Sequence, residues 1–141
     1  MISQLKNGDP HVLEPQLPEL MKQHKDKMTF SADLGSLTQC NIVYIAVDVP
    51  TDNKGKSDLT PIEEMINSVS TIMHSDALLV VLCQVPPGFT RTLKWPVEQL
   101  YYQVETLIFG RAIERALFPE RFILGCADST QPLKPDLLKF L

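Results

Sequence analysis

The chain has 141 residues, of which 44% are apolar, and a formal net charge of −4. That is enough chain and enough apolar surface for one domain with a real core, and too apolar for a disordered segment. With no basic block a nucleic-acid partner is not expected; with no apolar run near bilayer length, and no signal-peptide centre in "MISQLKNGDPH", neither is a membrane, so the expected compartment is the cytoplasm.

In chain order, "LPELMKQH" (17–24) predicts a short helix with Leu17, Leu20 and Met21 on one face. "MTFSAD" (28–33) predicts a short strand. "NIVYIAV" (41–47) is continuously apolar and rich in β-branched residues, which suits a strand covered on both faces of a parallel sheet. After a polar loop, Thr60 as N-cap, Pro61 at the first helical position and Glu63 completing a capping box predict a helix over 60–75. "ALLVVLC" (77–83) predicts a second strand buried on both faces. Strand, helix and strand make a βαβ unit with parallel strands and a right-handed crossover. "YYQVE" (101–105) and "RFILG" (121–125) predict further strands; Arg111–Leu117 and "KPDLLKFL" (134–141) predict helices. Strands alternating with helices give an open α/β sheet.

Cys40, Cys83 and Cys126 lie far apart and form neither a CxxC pair nor a zinc spacing; they read as structural thiols. His11, His24 and His74 are isolated and read as solvated side chains. No nucleophile elbow, P-loop or metal motif is present. Both buried strands run into proline-bearing loops, "AVDVPTDN" and "CQVPPGFT". Proline ends ladder pairing and fixes the loop, and Gly88 allows a tight turn or a close backbone approach. In open α/β sheets ligands sit outside the carboxyl ends of the strands. Such loops serve equally as simple strand stops or as the rim of a ligand crevice.

Four segments carry a family resemblance. "LKNGDPHVLEPQLPELM", "IAVDVPTDNKGKSDLTPIEEM", "QVPPGFTR" and "VETLIFGRAIERALFPERFILG" resemble, in order and at fitting spacings, segments of the UDP-glucose/GDP-mannose dehydrogenase family. The resemblance implies that residues 1–141 form a single partial NAD-binding domain, the second part of the N-terminal domain. Its implied fold is an incomplete Rossmann-like, mostly parallel sheet lacking the first two strands. Family members are NAD-dependent oxidoreductases that convert the sugar 6-CH2OH of a nucleotide sugar to a carboxylate, as in UDP-glucose to UDP-glucuronate. The chain contains no G-x-G-x-x-G, the turn that holds the dinucleotide pyrophosphate, and the resemblance places Met1 after it. None of its cysteines lies in the family's catalytic-cysteine motif. NAD binding by this chain alone is therefore expected to be weak or absent, and the chain alone inactive. The alternative is a non-catalytic nucleotide-binding or interaction module derived from the family.

Residue by residue, the resemblance implies cofactor contacts for Val47, Pro50, Thr51, Gln84 and Val85, nucleotide-sugar contacts for Thr106 and Leu107, and an acid–base role for Glu105. Read without it, Glu105 is an exposed glutamate at a strand end. The chain departs from the family at Asp48, Gln84 and Phe109. With the first two strands gone, the edge of 41–47 is expected to pair with 28–33 or with a second copy of the chain.

Overall fold

The structure, a computed structural model, describes residues 1–141. Two compact units make up the chain. One comprises Met1–Asp33 with Thr106–Arg121, the other Leu34–Glu105 with Phe122–Leu141.

The second unit holds the sheet. Strands β1 (Ile42–Ile45), β2 (Leu78–Val81), β3 (Leu100–Gln103) and β4 (Leu124–Gly125) lie side by side in that order. The pairs β1–β2 and β2–β3 are parallel, with Ile45 opposite Val81 and Val81 opposite Tyr102, while β4 closes the far edge antiparallel to β3. The two apolar runs are the parallel pair that their composition predicts.

Side chains alternate strictly across this sheet, and each face has its own core. Val43, Ile45, Leu79, Val81, Cys83 and Leu100 face one way and pack with Ile62, Ile66, Val69 and Met73. The first three of that second set come from α3 (Thr60–Ser70), whose buried positions recur at helical spacing. Leu78, Val80 and Tyr101 face the other way, against Leu137 of α5 (Pro135–Phe140). Tyr44 joins this face: its ring lies 5.3 Å from that of Phe140, and its hydroxyl donates to Gln103 Oε1 at 2.9 Å. All four residues of β2 are buried, which explains its unbroken apolar run.

Three local expectations are corrected. Residues 28–33 form no strand. Met28 is extended, but the Asp33 N–H is taken by the Ser31 hydroxyl at 2.9 Å, a local turn in place of a ladder. β1 accordingly pairs with β2 alone, and the expected re-pairing of 28–33 onto it does not occur. The capping box at α3 is also absent. Thr60 is the first helical residue, and its N–H is bound by Asp58 Oδ1 at 3.1 Å. The helix stops at Ser70, short of residue 75, where hydroxyls turn back on the backbone: Ser68 donates to Glu64 O and Thr71 to Ser68 O.

The first unit contains α1 (Ile2–Lys6), α2 (Leu17–Gln23) and α4 (Ala112–Leu117). α2 buries Met21. Before α2, Pro15 and Gln16 form the corner of a turn closed by Leu17 N–H donating to Glu14 O at 3.2 Å, with Gln16 at φ 69.

Candidate functional site: the carboxyl ends of the parallel strands

Because β1, β2 and β3 are parallel and in register, their carboxyl ends open at one edge of the sheet. Val47 follows β1, Gln84 and Val85 follow β2, and Glu105 follows β3. Six of the eight residues singled out in the sequence therefore lie in or next to this rim when Pro50 and Thr51, in the loop after Val47, are counted with them. Thr106 and Leu107 are exposed and belong to the other unit.

A buried thiol joins the first two strand ends. Val47 N–H donates to Cys83 Sγ at 3.3 Å, and the thiol donates to Ile45 O at 3.1 Å. Cys83 is 3% exposed and continues the ladder after the last backbone pair. Burial pushes its ionisation up, the nearby Asp48 charge acts in the same direction, and the Val47 N–H opposes them. A thiol held neutral in this way is a poor nucleophile. The sequence identifies Cys83 as a core residue, and its part in holding Val47 is visible only once the strands are paired.

Past Val47 the chain makes a closed loop. Asp58 N–H donates to Pro50 O at 2.8 Å, and Thr51 pairs with Ser57 through the backbone and a hydroxyl contact of 3.2 Å. Asp52 Oδ1 accepts the N–H groups of Lys54 and Lys56, each at 2.8 Å. Asp48 is exposed. A cleft of ≈ 670 Å³ beside this neck is lined by Pro50, Thr51, Lys56, Ser57 and Glu63 among others.

After β2 the "VPPG" stretch folds as its residues require. Phe89 N–H donates to Pro86 O at 3.2 Å, with Pro87 and Gly88 at the corner and Gly88 at φ +92. Proline then positive-φ glycine is the signature of a type II turn. A Cβ built on Gly88 meets nothing within 4 Å, so the glycine is needed for its backbone angle and not for a close approach. The turn drops Phe89 back into the core and leaves Gln84 exposed. Val85, Pro86, Thr90 and Arg91 line one side of a ≈ 550 Å³ cleft, facing Tyr102 and Cys126.

A dinucleotide also needs a site for its pyrophosphate, commonly a helix N-terminus reached through a glycine-rich turn. Here the helix that follows β1 has its leading N–H occupied by the Asp58 carboxylate. That carboxylate is held below its usual range by the Thr60 hydroxyl and N–H, so the end of α3 carries a negative charge. The amino end of α3 thus does not suit a pyrophosphate.

Comparison with known proteins agrees with the fold. Residues 1–136 match the family described as UDP-glucose/GDP-mannose dehydrogenase family, NAD binding domain. The UDP-glucose 6-dehydrogenase of Rickettsia conorii is 26% identical over 133 residues, covering 88% of this chain and 31% of that protein. The UDP-N-acetyl-D-mannosamine dehydrogenase of Pyrococcus horikoshii is 23% identical over 152 residues, covering 99% and 36%. Among solved structures, a ternary complex of GDP-mannose dehydrogenase from Pseudomonas aeruginosa superposes with a TM-score of 0.84 at 21% identity, covering 99% of this chain and 35% of that one. A UDP-glucose dehydrogenase from Pyrobaculum islandicum gives 0.78 at 24%, covering 92% and 33%. The chain spans about a third of the length of the curated relatives it matches. With its incomplete, mostly parallel Rossmann-like sheet, it belongs to the UDP-glucose/GDP-mannose dehydrogenase family, within the family's NAD-binding domain.

Proposed function

We propose that residues 1–141 are one partial domain, the second part of the N-terminal domain of an NAD-dependent nucleotide-sugar 6-dehydrogenase. In this reading the chain supplies the rim that faces the reacting end of the cofactor and the sugar. The observation that supports it is the convergence of three parallel strand ends at one edge, each carrying a residue that the family resemblance assigns to a ligand. Val47, Pro50, Thr51, Gln84 and Val85 line the cofactor side, Thr106 and Leu107 meet the nucleotide sugar, and Glu105 serves as the acid–base group. NAD supplies the oxidising power when bound; this chain's residues orient the sugar end and exclude water around it. The protein acts in the cytoplasm; no helix is long and apolar enough to cross a membrane.

On its own, the chain neither holds NAD firmly nor oxidises a nucleotide sugar. Calorimetric titration with NAD is expected to give no binding at micromolar concentrations, and micromolar affinity would overturn this reading. Fluorescence of Trp95 is a poor reporter. Its indole N–H donates to Ala77 O at 3.3 Å, at the amino end of β2 and away from the rim.

A second reading, a non-catalytic interaction module, is favoured by the outer edge of β1, which has no strand neighbour. The proposed partner at that edge is a second copy of the chain.

A further inference from the structure

We infer that Glu14 is a positioning residue, and that its carboxylate sets the conformation of the segment carrying Thr106 and Leu107. This rests on the substrate reading given above for those two residues. Glu14 Oε2 accepts the Gly110 N–H at 2.8 Å, and Oε1 accepts the Ala112 N–H at 2.6 Å. One half-buried carboxylate thus spans two amides nearly a hundred residues further along the chain.

Both ends of this tie are shaped for it. On the donating side, Arg111 N–H binds Ile108 O at 2.9 Å and Gly110 has φ +81, a turn with glycine at its positive-φ corner. Ala112 opens α4, where leading N–H groups lack helical partners. The adjacent Arg111 makes no side-chain cap; its guanidinium is committed to Glu114, through Nε at 3.0 Å and a second nitrogen at 2.6 Å. Glu14 supplies the acceptor that the local sequence does not.

On the accepting side, Glu14 begins the Pro15–Gln16 turn. Gln16, at φ 69, is the chain's one non-glycine residue with positive φ. Such a backbone is unfavourable for a side-chain-bearing residue and persists where the surroundings impose it. The strained turn aims the carboxylate at residues 110 and 112, and the clamp lies directly after the 106–107 backbone.

The test uses amide-resolved NMR on the full chain, with hydrogen exchange as one arm and titration with UDP-glucose as the other. Glu14→Gln keeps size and removes the charge and one acceptor. It is expected to speed exchange at Gly110 and Ala112 by about tenfold or more, the loss of a charge-assisted hydrogen bond. Ala112→Pro removes one donor at the first helical position, where no helical hydrogen bond is lost. It should speed exchange at Gly110 and add little on top of Glu14→Gln. In both variants the UDP-glucose concentration that shifts the Thr106 and Leu107 signals should rise by about tenfold. Unchanged exchange at Gly110 in either variant overturns the inference, and Ala112→Pro alone decides if Glu14→Gln fails to fold. Faster exchange with an unchanged UDP-glucose response also overturns it, leaving Glu14 a purely structural tie. If UDP-glucose shifts neither residue in the unaltered chain, the substrate reading fails, and the exchange arm still decides whether Glu14 sets the turn.

Discussion

Cys83 shows how much one side chain contributes to the rim. Its thiol is both acceptor and donor between the ends of β1 and β2. Cys83→Ser retains both functions, whereas Cys83→Val leaves the Val47 N–H without its partner. An unsatisfied buried donor costs about 1–3 kcal/mol, and the half-buried Val47 N–H less than a fully buried one. Cys83→Val should therefore lower the urea midpoint clearly more than Cys83→Ser does, and equal midpoints would show that the bridge contributes nothing. The pH dependence has a definite sign. The folded-state ionisation of Cys83 is raised by burial, so its contribution is whole below the unfolded thiol's pKa. That contribution is lost as pH rises through the raised folded value. Melting curves above the ordinary thiol range should fall less steeply for Cys83→Ser. Asp58 has the opposite sign. Its ionisation is lowered by the Thr60 hydroxyl and N–H, so its contribution is present above the unfolded carboxylate pKa. It is lost as pH falls through the lowered folded value. Asp58→Asn, which keeps a capping oxygen but no charge, should flatten this acid limb of the melting profile.

Among the elements, α3 and β1 make contrasting demands. α3 is fixed by its apolar stripe, and Ile62 is 1% exposed against the sheet. Ile62→Ala is expected to cost about 2–5 kcal/mol, as buried truncations do, read as a fall in the denaturation midpoint. β1 is satisfied on one side only. Asn41 and Ile45 carbonyls point to β2, accepting from Leu78 and Leu82, so strand alternation turns the backbone groups of Ile42 and Tyr44 outward. Nothing in "IVYI" discourages a further strand: it has no charge, proline or bulge. Light scattering after size exclusion should show a concentration-dependent dimer, weakened by Tyr44→Pro, which removes one outward donor. A monomer at every concentration would dispose of this partner. The same elements show what was legible beforehand. Uninterrupted runs such as "ALLVVLC" announce a strand covered on both faces, because only such a position tolerates them. "MTFSAD" is half polar and has no neighbour to pair with, and pairing is not written in a single segment. Sequence spacing overruns the end of α3 because Ile72 and Met73 keep helical spacing after the hydroxyl-bearing residues have already turned the backbone.

At the scale of the whole molecule, the rim was legible through the parallel arrangement, since parallel strands must end together. The hold of Glu14 on Gly110 and Ala112 was not, because it joins residues that sequence spacing does not relate. The two-faced core has a further consequence for how the protein fails. One face is covered by an eleven-residue helix, the other chiefly by six residues near the carboxyl end, of which Leu137 alone is buried. Unfolding of α5 would remove this thin cover first. Leu78, Val80 and Tyr101 would then be wetted together, leaving a half-sandwich prone to clump before any unfolding of α3.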